Sequence, residues 1–281
     1  MSRMTTTLHH HTDPGRRTAA TVASVAVVGA GQLARMSHQA AVDLGIDLTV
    51  LAQSPSDSAV VAGAHHRIGS PDDVAEVLGL AEGADVVTFD HELVAPDVLD
   101  ALEHHGAVVR PGAEALRYAQ DKVAFRALAR AEGLPVPAHR VVTDADEIAA
   151  FGQEHGWPVV VKAARGGYDG RGVAVLASAD APCPVAVPGP GGAPVLVEEH
   201  VEIAHELAVL VARRPGGDLA VFPPVRTFQR DGICRWTVVP CGLPHDVVGR
   251  AVHLARTVAD RTGVVGLLAV ECFVTPTREV L

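Results

Sequence analysis

The sequence is poor in cysteine and shows none of the cysteine patterns that hold metals or cross-link small secreted domains. Its four cysteines are scattered, and no two of them have the C-x-x-C spacing. This distribution suggests neither a zinc site nor a disulfide framework, so we expect reduced thiols and a cytoplasmic protein. The four residues are Cys183, Cys234, Cys241 and Cys272.

The sequence also lacks a long apolar run. No stretch approaches the roughly 18 apolar residues that a membrane-spanning helix needs, so we expect no membrane partner. Residues 1–21 contain no continuous apolar segment and do not have the form of a signal peptide, which predicts a disordered leader. The His9–His11 tract in this leader is too short, at an unanchored terminus, to indicate a metal site.

Positive charge is in deficit, with 23 lysines and arginines against 33 acidic residues and a formal net charge of −10. Binding to a nucleic acid needs clustered cations, so we expect no nucleic-acid partner. A small anionic substrate stays open, because local charge can oppose the net sign. The chain has 281 residues, of which 48% are hydrophobic, and this is enough for two or three globular domains.

No Walker phosphate loop is present, since no Gly-Lys-Ser/Thr closes a glycine run. A different glycine-rich segment, Gly166–Gly172 (GGYDGRG), follows an apolar run that ends at Lys162. Its backbone N–H groups can surround phosphate oxygens, and Lys162 and Arg171 add positive charge. This combination predicts a mobile lid over a nucleoside triphosphate, and the alternative is a flexible hairpin tip.

Alternating short strands and helices predict an α/β fold. In residues 22–112 a βαβ unit is followed by further strand-helix units that end in a strand at Ala107–Val109, which predicts a doubly wound parallel sheet. One continuous helix is expected from Glu114 to Glu132. Residues 113–190 and 191–281 then predict two α+β subdomains, with an irregular loop rich in proline and glycine at 181–194.

The first strand is followed by the turn Gly29-x-Gly31-x-x-Ala34, a pattern that lets a helix N-terminus approach a phosphate. A dinucleotide would need an acid after the second strand, where the sequence has Leu51–Ser54 instead. A single phosphate and a purely structural turn both remain open. Asp90 and Glu92 follow another strand of this domain, where ligands of open α/β sheets gather, although either could cap a helix.

Several carboxylates lie at or inside predicted strands of the last section. Glu198, Glu199 and Glu206 could read the adenine amino group and the ribose hydroxyls, or they could be ordinary surface acids. Glu271 lies inside the apolar segment Gly266–Val274, where we expect its carboxylate to be buried and compensated by a Mg²⁺ ion shared with the triphosphate. The alternative is a side chain that reaches the edge of the sheet.

Together these segments resemble the 5-(carboxyamino)imidazole ribonucleotide synthases, a family of ATP-grasp enzymes of purine biosynthesis. The resemblance runs from about Ser24 to the last residue, and the glycine loop is its most specific part. The matching segments are Gly29-x-Gly31-Gln32-Leu33, Thr88–Glu92, Gln120–Lys122, Lys162, Gly166–Gly172, Glu198–Val201, Glu206, Asp231–Ile233 and Glu271–Pro276.

The resemblance implies a pre-ATP-grasp domain followed by ATP-grasp subdomains, in a homodimeric, ATP-dependent ligase. Such an enzyme transfers the carboxyl group of bicarbonate, by way of carboxyphosphate, to the exocyclic amine of 5-aminoimidazole ribonucleotide. The products are N5-carboxyaminoimidazole ribonucleotide, ADP and phosphate. The resemblance also implies that Mg²⁺ binds Glu271 and the phosphates.

The same resemblance assigns roles to individual residues, with Lys122 in the place of a usual ATP-binding arginine. Asp169 is expected to accept the amine proton, while Tyr168 and Arg171 face bicarbonate and the imidazole. The ribonucleotide is expected to contact Gly31, Gln32, Leu33 and Glu92. ATP is expected to contact Lys122, Lys162, Gly166, Gly167, Tyr168, Asp169, Gly170, Arg171, Gly172, Glu198, Glu199, His200, Val201 and Glu206.

Two departures from the family pattern stand out. A histidine that is common in the family, four residues before the isoleucine of Asp-Gly-Ile, is Gln229 here, and we assign it no role. The family continues past the strand after Glu271 with a second metal-binding glutamate and a small domain, whereas this sequence stops at Leu281. We therefore expect a ligase without this C-terminal part, an ATP-binding fragment without turnover, or an ATP-grasp ligase with another acceptor.

Overall fold

A computed structural model describes residues 23–167, 171–186, 193–230 and 232–281. The predicted leader, Tyr168, Asp169 and Gly170 of the glycine loop, and Asp231 lie outside these residues. Within them the chain forms three β-sheets. None of the described helices combines the length and the apolar character needed to cross a lipid bilayer.

The first sheet contains four parallel strands. They are β1 (Ser24–Val28), β2 (Asp47–Ala52), β3 (His65–Ile68) and β4 (Val86–Phe89), in the order β3-β2-β1-β4. The helices between and after them are α1 (Gln32–Leu44), α2 (Ser58–Val61), α3 (Val74–Ala81) and α4 (Pro96–His104). The short α2 was not anticipated from the sequence.

Helices cover both faces of this sheet. Successive side chains of a strand point to opposite faces, so Ala26 and Val28 pack with α3 and α4, while Val27 packs with α1 and α2. The doubly wound arrangement predicted from the sequence is thereby confirmed. The strand predicted at Ala107–Val109 is reduced to a single bridge between Val109 and Val87, because Pro111 cannot donate to a longer ladder.

The long helix predicted from Glu114 to Glu132 was also wrong in one respect. The chain forms two helices, α5 (Ala113–Gln120) and α6 (Lys122–Glu132), separated by Asp121. Asp121 is extended, with φ −125° and ψ 103°, and its carboxylate accepts hydrogen bonds from the backbone N–H groups of Val123 and Ala124. Aspartate competes in this way with helical hydrogen bonding, so it ends α5 and caps α6.

The second sheet is antiparallel and carries α7 (Ala145–His155) on one face. Its strands are β5 (His139–Val142), β6 (Val159–Ala163), β7 (Val173–Leu176) and β8 (Val195–Glu199), in the order β5-β8-β6-β7. Val159, Val161 and Val197 pack against Phe151 of α7. Lys162 and Glu198 alternate with these valines and therefore lie on the opposite face.

The third sheet is antiparallel and carries α8 (His245–Thr262) on one face. Its strands are β9 (His205–Arg213), β10 (Leu219–Val221), β11 (Val225–Arg230), β12 (Ile233–Val238) and β13 (Gly266–Val274), and β13 pairs with β9. Leu207 of β9 and Cys272 of β13 pack with Ala255 of α8.

The other face of the third sheet carries Glu206 and Glu271. The expectation that Glu271 is buried was wrong, because the strand alternation that buries Val270 and Cys272 leaves the Glu271 side chain exposed. The described part of the loop at 181–194 has no regular element, as predicted.

Candidate active site

The junction between α5 and α6 places the start of α6 against the glycine loop. The Asp121 Oδ2 atom accepts hydrogen bonds from Nε and Nη2 of Arg165 at 3.0 and 2.8 Å. The Lys122 backbone N–H donates to the Ala164 carbonyl at 2.9 Å. These contacts hold the first turn of α6 at the end of β6, two residues beyond Lys162.

A buried carboxylate joins β8, β6 and α6. The Glu198 side chain is 2% exposed, and its Oε1 lies 2.6 Å from Nε of Arg126 on α6. Its Oε2 accepts a hydrogen bond from Nζ of Lys162 on β6. Burial raises the pKa of Glu198, but the charges of Lys162 and Arg126 outweigh this effect and leave the pKa below its usual value. The carboxylate is therefore ionised and held between two cations.

A third cation, Lys122, completes this group. Burial lowers the pKa of the Lys122 amine, and the positive charges of Lys162 and Arg126 lower it further, while Glu92 opposes the change. Lys122 and Lys162 are the two lysines of the sequence, and the other 21 cationic residues are arginines. Arg126 and Lys162 contact Glu198, whereas the acidic neighbours of Lys122 are Glu92 and Asp121. Asp121 is itself paired with Arg165, so four cations and three carboxylates leave one surplus positive charge, which suits a polyanion.

The described part of the glycine loop lies beside these cations. A Cβ atom at Gly167 would lie 2.8 Å from the backbone oxygen of Arg171, closer than real Cβ contacts come, and 3.5 Å from Nζ of Lys122. Gly167 is therefore required for the two ends of the loop to approach each other. The Ala163 N–H donates to the Gly172 carbonyl at 2.8 Å and closes the base of the loop.

A second polar group lies on the open face of the third sheet. In the register of β9 and β13, Glu206 is paired with Phe273 and Ala208 is paired with Glu271. Paired residues point to the same face of a sheet, and so do alternate residues of a strand, so the two carboxylates share one face. Burial raises the pKa of Glu206, a hydrogen bond with Gln229 partly opposes this, and the charge of Glu271 adds to the increase. Gln229, to which the sequence analysis assigned no role, therefore lies close enough to Glu206 to affect its pKa.

The donor set of this face fits a hard divalent cation only in part. Carboxylate oxygens are the ligands that Mg²⁺ prefers, and the mutual repulsion of Glu206 and Glu271 would be relieved by a cation. The described residues contain no cluster of three or more histidine, cysteine, aspartate or glutamate side chains that could hold a metal ion. A metal here would need further oxygens from a ligand.

The segment that joins the second and third sheets carries the remaining predicted ATP contacts. The Glu199 carboxylate accepts a hydrogen bond from the Ala138 N–H at 2.8 Å, and the Glu199 N–H donates to the Ala138 carbonyl at 2.9 Å. Glu199 thus ties the ends of β8 and β5 together. His200 is exposed, and Val201 is half-buried.

The glycine turn of the first domain contacts a carboxylate of the protein itself. The Gly31 N–H donates to Oδ2 of Asp90 at 2.8 Å. A Cβ atom at Gly29 would lie 1.9 Å from Oδ1 of Asp90, so glycine is required for this approach. The turn therefore binds the Asp90 side chain at the position where the sequence pattern suggested a phosphate.

The other residues predicted to contact the ribonucleotide lie around this turn. Oε1 of Gln32 lies 3.3 Å from the Ser58 hydroxyl, and the Leu33 side chain is exposed. The Gln120 side-chain amide donates to the Glu92 and Val94 carbonyls, both at 2.8 Å. Glu92 is thus held beside the start of α6, where its charge raises the pKa of Lys122.

Two family models match the chain. The model of the ribonucleotide synthetase preATP-grasp domain matches residues 22–120, and that of the ATP-grasp domain matches residues 127–281. A solved structure of the carboxyaminoimidazole ribonucleotide synthase from Aspergillus clavatus complexed with ATP aligns with a TM-score of 0.82 and 30% identity. This alignment covers 92% of the present chain and 68% of the other.

The chain belongs to the N5-carboxyaminoimidazole ribonucleotide synthase family of ATP-grasp proteins. It is 47% identical over 253 residues to the N5-carboxyaminoimidazole ribonucleotide synthase of Mycobacterium bovis. The aligned region covers 89% of the chain and 59% of this relative, so the chain spans about three-fifths of the length of the curated relatives it matches. A second Aspergillus clavatus structure, in complex with ADP and 5-aminoimidazole ribonucleotide, aligns with a TM-score of 0.81 and 28% identity over 92% of the chain and 68% of that structure.

Sequence reasoning missed two residues that organise the site. Arg126 was read as part of an ordinary helix, although it lies one turn after Lys122 and therefore on the same helix face. Asp90 was considered only as a ligand contact or a cap. One signal for the site was available in the sequence. The chain has two lysines, Lys122 and Lys162, which lie 40 residues apart, and both belong to motifs of the site.

Proposed function

We propose that this protein catalyses the ATP- and bicarbonate-dependent carboxylation of 5-aminoimidazole ribonucleotide. ATP phosphorylates bicarbonate, giving carboxyphosphate and ADP. The exocyclic amine then attacks the carboxyl carbon, phosphate leaves, and the amine loses a proton. The product is N5-carboxyaminoimidazole ribonucleotide, an intermediate of purine biosynthesis.

The observation that carries this proposal is the group of three cations beside the glycine loop. Lys122, Lys162 and Arg126 give a local surplus of positive charge in a chain whose net charge is −10. Binding of a triphosphate requires local positive charge, which the acidic composition of the chain would not by itself provide. The relatives named as N5-carboxyaminoimidazole ribonucleotide synthases support the same substrates.

The residue roles follow from this arrangement. Lys162, Lys122 and the loop Gly166–Gly172 would neutralise charge on the phosphates during transfer. The segment Glu198–Val201 would hold adenine through its backbone groups, since the Glu198 and Glu199 side chains already have protein partners. Glu206 would accept hydrogen bonds from the ribose hydroxyls.

The remaining roles concern the acceptor half of the reaction. Asp169 would accept the proton of the amine, and Tyr168 and Arg171 would face bicarbonate and the imidazole. Gly31, Gln32, Leu33 and Glu92 would contact the ribonucleotide. The contact of Gly31 would not use its backbone N–H, because this group already donates a hydrogen bond to the Asp90 carboxylate.

In this scheme the Glu271 carboxylate would hold a Mg²⁺ ion, which would need further oxygen ligands from the nucleotide. When bound, the ion would neutralise charge on the transferred phosphoryl group. Glu271 would hold the ion from the exposed face of β13. The pKa of Glu206, which is raised mainly by burial, would then lose the smaller contribution from the charge of Glu271. We further propose a cytoplasmic homodimer with domain boundaries near residues 112 and 190, which sedimentation and limited proteolysis would test.

The decisive experiment measures ADP release by the purified chain with ATP, Mg²⁺, bicarbonate and aminoimidazole ribonucleotide. We expect weak ATP binding, and we expect that omitting bicarbonate or the ribonucleotide lowers any ADP release. The Lys162→Met variant is the negative control, and Arg140→Met, which removes an exposed cation from the same sheet, is the matched positive control. ATP binding without turnover under any condition would favour the ATP-binding fragment, and absence of ATP binding would contradict the proposal.

A further inference from the structure

The two oxygens of Glu198 have separate cationic partners on separate elements. Arg126, on α6, holds Oε1 at 2.6 Å from its Nε atom, and Lys162, on β6, holds Oε2. Both cationic side chains are largely buried, with 15% of Arg126 and 18% of Lys162 exposed. The carboxylate between them is almost inaccessible to water.

This arrangement matters because one of the two cations, Lys162, is expected to leave Glu198 and bind the nucleotide. Under the proposed function, which this inference presupposes, Lys162 binds nucleotide phosphates, and its ammonium group is a compact charge on a flexible stem. When the ammonium moves to a phosphate, its contact with Glu198 weakens. A buried carboxylate that loses its partner is strongly destabilised, and it responds by taking up a proton.

We propose that Arg126 is a positioning residue that keeps Glu198 ionised when Lys162 transfers to the nucleotide. The guanidinium remains charged at every accessible pH, so it can compensate the carboxylate without leaving it. Lys162 then exchanges one anion for another, and nucleotide binding requires no proton at Glu198. Without Arg126, the release of Lys162 and the protonation of Glu198 become a single coupled event.

Other groups face Glu198 and must be considered in a test that depends on pH. Lys122 lies one turn before Arg126 on α6, and His139 is the residue directly opposite Glu198 on β5. Lys162 reaches the carboxylate from β6, two residues after Val160, which pairs with Glu198. The pKa of Lys122 rises when the positive charge of Arg126 is removed, so a difference between the Arg126 variant and the parent has to be compared with a variant that lacks the Glu198 carboxylate.

The first test is calorimetric titration of the chain with ATP and Mg²⁺ near pH 7, in buffers with different ionisation enthalpies. We expect Arg126→Gln to take up close to one proton more per bound nucleotide than the parent chain. Its dissociation constant should then rise about tenfold for each pH unit, relative to the parent. The matched control Arg140→Gln, which removes the same charge from an exposed pair with Glu154, should behave like the parent.

Two further variants separate a charge effect from a packing effect. Arg126→Lys retains the charge and should restore the proton balance of the parent. The double variant Arg126→Gln/Glu198→Gln has no carboxylate to protonate and should lose the extra proton uptake. Equal proton uptake by Arg126→Gln and the parent would overturn the proposal while leaving ATP binding intact. Failure of the parent to bind ATP would instead contradict the proposed function and, with it, this inference.

A measurement on the unaltered chain covers the case in which Arg126→Gln does not fold. With ¹³C-labelled glutamate, the Glu198 carboxyl signal is assigned by its loss in Glu198→Gln. We expect it to keep the chemical shift of an ionised carboxylate at saturating ATP. The labelled lysine side chains give one signal each for Lys122 and Lys162, and the Lys162 signal should shift. A protonated Glu198 in the complex, or an unmoved Lys162, would overturn the proposal.

Discussion

The Lys162→Met substitution keeps an unbranched side chain but removes its ammonium group. In the free protein this group is bound to Glu198, a residue with 2% exposure. In the proposed complex it contacts phosphate oxygens. The substitution therefore changes both the stability of the free chain and its affinity for ATP, and the two effects are measured separately.

The expected loss of ATP affinity follows from the exchange of Glu198 for a phosphate as the partner of the Lys162 ammonium group. A hydrogen bond to a charged group contributes about 1.5–3 kcal/mol, and the lysine gives up its contact with Glu198 to form the new one, so we expect the lower part of this range. About 1.5–2 kcal/mol corresponds to a dissociation constant that is roughly 10- to 30-fold higher. Calorimetric titration with ATP and Mg²⁺ measures it directly.

The stability effect should be smaller than that of an isolated buried charge. Removing one partner of a buried ion pair usually costs about 3–5 kcal/mol, but Glu198 keeps Arg126, so we expect roughly 1–3 kcal/mol in urea unfolding. The Arg140→Met control should leave the ATP affinity unchanged and lower the stability less than Lys162→Met does. The pair of Arg140 with Glu154 is exposed, and its other contact is with the Phe151 ring. An unchanged ATP affinity in Lys162→Met would remove this lysine from the nucleotide site and refute the argument from charge.

Three other predictions concern the elements around Lys162. Because the Lys122 pKa lies below its usual value, ATP affinity should fall as the pH rises through this lowered pKa, and Lys122→Arg, which stays charged, should abolish the decrease in pH-dependent titrations. Gly167→Ala should weaken ATP binding because its Cβ would clash with the Arg171 carbonyl, whereas Gly216→Ala, with open space around it, should not, as fluorescence titration would show. Asp121→Ala should lower the free energy of unfolding in urea by about 1–2 kcal/mol through loss of the α6 cap, and an unchanged midpoint would contradict the capping argument.

The parts of the fold with strong periodicity could be predicted from the sequence. Strands such as Val159–Ala163 follow from their apolar residues, and the sharp end of α8 follows from Gly263. The break at Asp121 could not be predicted in the same way, because the helical pattern continues on both sides of it. The extended Asp121 is stabilised by its capping hydrogen bonds to Val123 and Ala124 and also by Arg165, a partner 44 residues later that the local sequence does not reveal.

The candidate site shows the same division. Lys162 and the glycine loop were recognised from local spacing, since strand, lysine and glycines are consecutive in the chain. The burial of Glu271 was misjudged, because an apolar segment does not reveal which of its alternating residues face solvent until the partner helix is known. Arg126 depends on the approach of α6 to β8, a contact between residues 72 positions apart.

The break between α5 and α6 also has a mechanical consequence. Gln120 donates hydrogen bonds to the loop at Glu92 and Val94 in the first domain. The next residue, Asp121, accepts a hydrogen bond from Arg165 beside the glycine loop. Two adjacent residues thus connect the loop expected to contact the ribonucleotide with the loop expected to contact ATP. A displacement of either loop would be transmitted to the other across a single peptide unit, so this short link couples the two loops mechanically.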